Sequence, residues 1–555
     1  MSKGLIQKYL NDLADIRRVS GTGREGAVSE AFKDLLKAYA RPRNLFFDNQ
    51  HELPRQDGAR RTVDGALLYD LRIPFGYWEA KDEDDDLDAE IAKKFRKGYP
   101  RDNIIFEDSQ TAVLIQHGNE VTRCKVDDAE KLARLLDLFF AHERAEVVDF
   151  RKAVTQFQTD LPQVLDALRG MIAQAQIDNA AFKRAAAKFL KHAHETINPS
   201  VTAEDVREML IQHILTEEIF AKVFDDSDFH RQNNVAKELY ALENLFFTGA
   251  LKKNTLRGLA PYYNAIQANA QLITQHSEKQ KFLKVIYEGF YKVYNPKAAD
   301  RLGVIYTPNE IVKFMVESAD WLCEKHFGRS LIDRGVEILD PATGTGTFVC
   351  ELLEHFRGQP QKLAHKYKEE LHANEVAILP YYVANLNIEA TYAAITGQYA
   401  EYPNLCFVDT LDNVAGLHGF TKGADHYGDL LGSLSEENVA RIKRQNNRKI
   451  SVIIGNPPYN ANQQNENDNN KNRAYPVIDK RIKDTYIKES TAQKTKAYDM
   501  YTRFFRWASD RLKDDGIVAF ITNRSFVDSR TMDGFRKIAA RDFAEVWIVD
   551  RKSVV

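Results

Sequence analysis

The sequence predicts a multidomain α/β protein. A small α/β domain spans residues 1–125, a helical connector spans 126–300, and a doubly wound α/β domain spans 301–555. Three observations carry this reading. At 555 residues the chain is too long for one hydrophobic core. The stretch 126–300 has apolar residues at helical spacing and few glycines. From about residue 301, short apolar runs alternate with helical or loop segments, as a parallel sheet with crossover helices requires.

The elements follow in order. In the first part, "TVDGALLYDL", "FGYWEAKD", "NIIFED" and "TAVLIQHG" read as strands among short helices, and the acidic run "DEDDDLDAE" reads as a solvated helix start. In the second, "AEKLARLLDLFFAHERAEVVDFRKAV" and "KQKFLKVIYEGFYKVY" read as helices. In the third, "VEILDP", "ELHANEV", "NLCFVDTL", "KISVIIGNPPY", "GIVAFITN" and "AEVWIVD" read as strands. The segment "NANQQNENDNNKNRAYP" is polar and Asn-rich. It reads either as a low-complexity loop or, from its position, as a substrate-handling loop.

Composition narrows the class. With 44% hydrophobic and 28% charged residues the chain is a folding sequence, not a disordered one. A net charge of −3 leaves nucleic acid open as a partner, because a neutral total can hide a basic groove. The four cysteines form no CxxC pair, so neither a zinc site nor a disulfide framework is expected. The start "MSKGLIQKYL" has no apolar signal run, and no long apolar window occurs. A soluble cytoplasmic protein without a membrane partner is expected.

The first chemistry is a cradle. In "VEILDPATGTGTFVCELL" a strand ends at Asp340-Pro341, and a turn containing Gly344 and Gly346 leads into a helix. Glycines admit close backbone approach, and a helix start offers unpaired N–H groups. A dinucleotide fingerprint would place a small residue near Val349, so a purely structural turn also fits. The next strand ends at Glu375, placed either to grip ribose hydroxyls or as a solvated acid. "CFVDTL" offers Asp409 near an adenine edge.

The second feature is "SVIIGNPPYNANQQ". A buried strand ends in Asn456-Pro457-Pro458-Tyr459, and two prolines cannot continue it. The tetrad is therefore a rigid, extended mouth at the carboxyl edge of the sheet, where ligands bind.

These residues carry a resemblance. "DPATGTG", followed about 110 residues later by "NPPY" and preceded by "YTPNEIVKFMVES", resembles the gamma-type amino-methyltransferases that use S-adenosylmethionine on adenine N6 of DNA. The longer set "GVIYTPNEIV", "LDPATGTGTFV", "HANEVAILPYYVANLNIEATY" and "GNPPYNANQQNENDNNKNRAYPVIDKRI" resembles the methyltransferase core of type ISP and type IIG restriction–modification enzymes over roughly residues 285–549. The resemblance implies a Rossmann-like domain. In it Asp340, Gly344 and Gly346 hold the methionine end of the cofactor and Glu375 holds its ribose. Tyr306, Thr307 and Pro308 close over it. Pro308 also suits a plain helix start.

The chemistry fits the residues. An exocyclic amine conjugated to a purine is a poor nucleophile until its lone pair localises. The Asn456 side-chain carbonyl and the Pro457 backbone carbonyl can accept its two hydrogens in a fixed geometry. Tyr459 can stack on an adenine flipped from double-stranded DNA. No cysteine nucleophile is needed.

A third constellation lies near the amino terminus. In "VDGALLYDLRIPFGYWEAKD", fourteen residues separate Asp64 from Glu79, and Lys81 follows on the same strand face. Two carboxylates and a lysine on one sheet edge can hold Mg²⁺ and activate water for phosphodiester hydrolysis. The pattern resembles the PD-(D/E)xK nucleases. In that family many members carry a further acid on an upstream helix, here Glu30. A surface salt-bridge strand is the alternative.

No phosphate loop of the G-x-x-x-x-G-K-[ST] type is present, so no ATPase motor is expected. The chain stops in "VWIVDRKSVV", just after a strand begins, which leads to the expectation of a longer natural protein. Three further readings stay open: a methyltransferase with an N-terminal interaction module, a non-catalytic specificity subunit, and an N-methyltransferase of small molecules or proteins.

Overall fold

The computed structural model describes residues 2–20, 25–53, 61–69, 73–197, 199–224, 233–273, 276–294, 307–417, 435–458, 474–491 and 499–550. The chain divides into two compact units. One takes in Met1–Asp160, Lys222–Asp225 and Gly258–Ile286, and the other Leu161–Ala221, Asp226–Arg257 and Tyr287–Val555. The helices expected over 126–300 are thus shared between the two.

The first unit holds a six-stranded sheet. Its strands are β1 (Phe46–Glu52), β2 (Thr62–Leu68), β3 (Pro74–Ala80), β4 (Asn103–Glu107), β5 (Thr111–Gln116) and β6 (Asn119–Lys125), paired in that order. All neighbours are antiparallel except β3 and β4, which are joined through the helix Leu87–Arg96. A parallel pair needs such a crossover. Every residue of β3 and β4 is buried, as in strands covered on both faces. One face packs Tyr77, Ile104 and Phe106 against Leu87 and Ile91 of the crossover helix. On the other face Trp78 stacks on Phe32 of the helix Glu25–Ala40. The acidic run does start a helix: Asp86 caps it, its carboxylate accepting from the N–H groups of Asp88 and Ala89.

Strands β1 and β6 were not expected. "FFDNQHE" and "NEVTRCK" are largely polar, β6 mostly exposed and β1 mostly exposed or half-buried, so no alternation marks them. Both are sheet edges, where charge guards against further pairing. The single helical pattern expected over 129–154 is broken at residues 142–144, giving helices Ala129–Ala141 and Ala145–Asp178.

The second unit holds a five-stranded parallel sheet: β7 (Ile338–Asp340), β8 (Leu371–Glu375), β9 (Leu405–Phe407), β10 (Ile450–Gly455) and β11 (Leu512–Phe520), in the order β11-β10-β7-β8-β9. The chain runs outward through β7, β8 and β9, then returns to place β10 and β11 on the other side of β7. The order therefore reverses between β7 and β10. Outside the carboxyl ends of strands at such a point, a doubly wound sheet opens a ligand crevice.

The strand expected at "AEVWIVD" is not there. Residues 544–550 are irregular and exposed, with Trp547 59% accessible. Among the described residues they pair with no strand and are held by side chains instead. Trp547 packs edge-on against Trp321, and Glu545 lies 3.4 Å from His326. No helix is long and apolar enough to cross a membrane among the described residues. All four cysteines are buried, and none forms a disulfide among the described residues.

Candidate functional site

The sequence-singled residues of the second unit that are described lie at or just beyond the carboxyl ends of β7, β8, β9 and β10, and at the start of the helix Asn309–Phe327. Strand β7 delivers Asp340, 1% exposed. Its Oδ1 accepts the Ala342 N–H at 3.1 Å, while its Oδ2 is buried with no hydrogen-bond partner among the described residues. Burial pushes this carboxyl up to about 7, against the lowering effect of the Ala342 amide. The turn that follows needs its glycines. Gly344 and Gly346 sit at φ +58° and +86°. A Cβ on Gly346 would also meet Ala384 and Ile388 at 3.2 Å.

Glu375 closes the turn from β8. Its Oε2 accepts the Gly344 N–H at 2.8 Å, and its Oε1 accepts those of Val376 and Ala377 at 3.0 and 2.8 Å. Burial pushes its carboxyl up to about 7 in spite of these donors. Thr410 buttresses the same turn. Its hydroxyl donates to the Pro341 carbonyl at 2.6 Å and accepts from Asn374 at 3.1 Å. Asp409 is buried beside it. Its Oδ1 accepts the Leu411 N–H, and its Oδ2 accepts the Tyr475 hydroxyl at 3.0 Å.

Strand β10 ends at Gly455, where a Cβ would come within 2.7 Å of Asp340 Oδ1. The two strand ends therefore touch, and only glycine fits between them. Asn456 follows, then Pro457, which is buried, and Pro458, which is half-buried. Asn456 Nδ2 donates to the Thr307 hydroxyl at 2.8 Å. Thr307 is itself buried and precedes Pro308, the N-cap of the helix Asn309–Phe327. Tyr306, Tyr459 and most of the Asn-rich run lie outside the described residues.

In the first unit the β2–β3 register sets Asp64 against Glu79. Asp64 N–H donates to Glu79 Oε2 at 3.2 Å, and Ala80 N–H donates to Asp64 Oδ2 at 3.0 Å. Lys81 Nζ reaches Glu79 Oε1 at 2.9 Å and the Ala80 carbonyl at 2.5 Å. Lys94 donates to the same Glu79 Oε1, and also to the Tyr99 hydroxyl at 3.1 Å. Burial alone would depress the Lys94 ammonium, but the bonds to Glu79 and Tyr99 outweigh it and raise its pKa. Gln50, at φ +51°, donates to Asp64 Oδ1 at 3.0 Å. The structure thus brings Asp64, Glu79 and Lys81 together. It does not gather Glu30 with them: Glu30 is exposed and pairs with Lys33 on its own helix at 2.8 Å, because it lies on the solvent side of that helix.

Residues 154–278 match the family model of the Type ISP restriction-modification enzyme coupler domain, and residues 356–553 match that of the Eco57I restriction-modification methylase. Among solved structures, the chain is similar to DrdV in its cryo-electron-microscopy DNA complex. The identity is 52%, over 98% of this chain and 52% of that one, with a TM-score of 0.72. It is similar to a nuclease-deletion mutant of the Type ISP enzyme LlaGI in complex with a DNA substrate mimic, at 33% identity, 70% and 31% coverage, and TM-score 0.61. It is also similar to the ATP-dependent Type ISP enzyme LlaBIII bound to DNA, at 29% identity, 80% and 29% coverage, and TM-score 0.62.

The chain is related to the Type ISP restriction-modification enzymes and carries a restriction-modification methylase domain. It spans about half the length of the DrdV chain and less than a third of the other two. No curated protein matches it.

Four residues were missed from sequence: Lys94, Gln50, Thr410 and Asn374. Lys94 had a signal, since Leu87, Ile91 and Lys94 fall on one helical stripe whose apolar members face the sheet. Gln50 had none, because β1 itself was not legible. In the methylase domain, Thr410 and Asn374 are buried polar side chains next to strand ends, and only the register reveals their bonds.

Proposed function

We propose that this chain is a site-specific DNA adenine-N6 methyltransferase that uses S-adenosylmethionine, with a Mg²⁺-dependent endonuclease site in its first unit. The observation that carries the methyltransferase reading is the close approach of Asp340, at the end of β7, to Gly455, the residue before Asn456, at the reversal point of the parallel sheet. The DNA bound by DrdV and by the two Type ISP relatives supports duplex DNA as the substrate.

The residues present fit the cofactor. Asp340 Oδ2 is a buried acceptor without a partner among the described residues, and two positive-φ glycines leave the turn open to close approach. Asp340, Gly344 and Gly346 would hold the methionine end. Glu375, Asp409, Thr307 and Pro308 line the remainder, with Tyr306 beside them in sequence. When bound, the cofactor supplies a methyl group on a sulfonium, an electrophile that needs no metal.

The rest belongs to the chain. Asn456 Nδ2 donates to the Thr307 hydroxyl, which holds the side chain in place and leaves its carbonyl to serve as acceptor. That carbonyl and the Pro457 carbonyl take the two hydrogens of the adenine amine, and its lone pair localises as positive charge develops on nitrogen. Preorganised acceptors stabilise that charge without reorganisation. Pro457 and Pro458 supply the rigidity, and Tyr459 stacks on the flipped base.

For the nuclease, the carboxylates of Asp64 and Glu79 and the Ala80 carbonyl form a hard-oxygen donor set that fits Mg²⁺. The ion would supply an activated water, and Lys81 would offset charge on the scissile phosphate. One observation favours a second reading, in which this unit is an interaction module. Glu79, 2% exposed, is already neutralised by Lys81 and Lys94.

Calorimetric titration with S-adenosylmethionine tests the first reading. The wild type binds, and Asp340→Ala does not. Equal binding by both removes the cofactor assignment.

A further inference from the structure

Three metal-ligating side chains of the first unit that neither site uses converge. Asp102 precedes β4, His117 lies in the turn between β5 and β6, and His142 follows the helix Ala129–Ala141. One ligand atom from each lies within 4.8 Å of the others. Asp102 Oδ1 is 3.1 Å from His117 Nδ1, and its Oδ2 is 3.2 Å from His142 Nε2.

The surroundings fix this geometry. His117 adopts φ +50°, an uncommon conformation for a side chain other than glycine or asparagine. It precedes Gly118 in a two-residue hairpin turn where Asn-Gly would be the usual choice. The turn is pinned to Asp102 by backbone bonds, His117 N–H to the Asp102 carbonyl at 3.0 Å and Gly118 N–H to the Arg101 carbonyl at 2.7 Å. The His142 side is anchored separately. Gln116 donates to the Leu138 carbonyl at 3.2 Å, and Asn103 donates to the Phe139 carbonyl at 3.1 Å. Both carbonyls belong to the last turn of the helix that ends in His142. All three ligands are thus held by rigid elements.

We propose that Asp102, His117 and His142 form a binding site for a divalent transition ion of the zinc type. Two imidazoles and one carboxylate suit a borderline ion and not Mg²⁺ or Ca²⁺, which take oxygen ligands. Water fills the fourth position. His117 is 74% exposed and gives the ion its entry, while His142, 7% exposed, forms the floor. Each imidazole binds through the nitrogen that faces Asp102 and keeps its proton on the other. Arg144 Nε lies 3.5 Å from Asp102 Oδ2. It orients the carboxylate from outside, as outer partners do around metals, and its charge limits the affinity. The bound ion ties the β5–β6 turn to the break between the helices Ala129–Ala141 and Ala145–Asp178. No cysteine takes part, which is why cysteine spacing gave no hint of it.

The test uses the full chain, stripped with chelator and titrated calorimetrically with Zn²⁺. Co²⁺ absorption reports the coordination. His117→Gly removes the ligand at a backbone position that glycine favours, and Asp102→Asn removes the carboxylate. The expected result is one Zn²⁺ per chain with a nitrogen-ligated Co²⁺ spectrum. Binding should be weakened about tenfold or more in both variants, with metal-free melting temperatures equal to wild type. Wild-type affinity in both His117→Gly and Asp102→Asn, or no uptake by the wild type, overturns the proposal.

Discussion

Asn456 and Thr307 are hydrogen-bonded at 2.8 Å, tying the end of β10 to the start of the helix Asn309–Phe327 across 149 residues of sequence. The bond gives Thr307 a role that its place in a cofactor-closing motif does not by itself require. Thr307→Val should lower the methyl-transfer rate about tenfold, whereas Thr307→Ser, which keeps the hydroxyl, should stay near wild type. Single-turnover rates at saturating cofactor distinguish this from weaker binding. Equal rates in the valine and serine variants would show that the bond does not orient Asn456.

Asn456→Ala removes the acceptor itself. Because that acceptor matters most as charge develops, transfer should fall about 10²-fold or more while cofactor affinity holds. Measuring affinity and turnover on the same preparation checks the split. A parallel loss of both would mean that Asn456 binds the cofactor and does not activate the amine.

Asp340 links the site to pH. Burial raises its carboxyl from 3.8 to about 7, so the folded chain retains a proton that the unfolded chain gives up. The stabilising contribution is present in full below about 4 and is lost as pH rises through 7. Asp340→Asn never carries the charge. Its melting temperature relative to ligand-free wild type should therefore rise between about pH 4 and about pH 7 and level off above, although it binds no cofactor. A difference that stays flat across this range would mean that Asp340 is ionised throughout.

Much of this was legible beforehand, for physical reasons. Strands β7, β9 and β10 carry apolar runs that end in polar or glycine-rich turns, as buried parallel strands do, whereas β8 buries His372, Asn374 and Glu375. Strand periodicity put Glu79 and Lys81 on one face, whereas Asp64 on the preceding strand needed the register to join them. The polar edge strands β1 and β6 could not be seen, since neither face is apolar enough to alternate. "AEVWIVD" misled because its apolar pattern is that of a strand, yet no neighbour pairs with it among the described residues. Glu30 misled because an acid on a helix carries no sign of which face turns inward. The Asn456–Thr307 bond depends on strand order, which local pattern does not encode.

The two activities should separate. Lys81→Ala should abolish Mg²⁺-dependent DNA cleavage and leave methylation intact, because Lys81 bonds to Glu79 and to the Ala80 carbonyl, within its own unit. Incubating unmethylated DNA with wild type or variant, and reading fragments and methyl incorporation together, checks this. A wild type that methylates but never cuts would favour the interaction-module reading.

The central claim is methyl transfer to adenine N6 through Asn456. Its most direct test is mass spectrometry of nucleosides from the DNA of a methylation-free host expressing the wild-type chain or Asn456→Ala. The account predicts N6-methyladenine with the wild type and none with the variant. Methylcytosine in its place, or N6-methyladenine at equal levels with both, would contradict it.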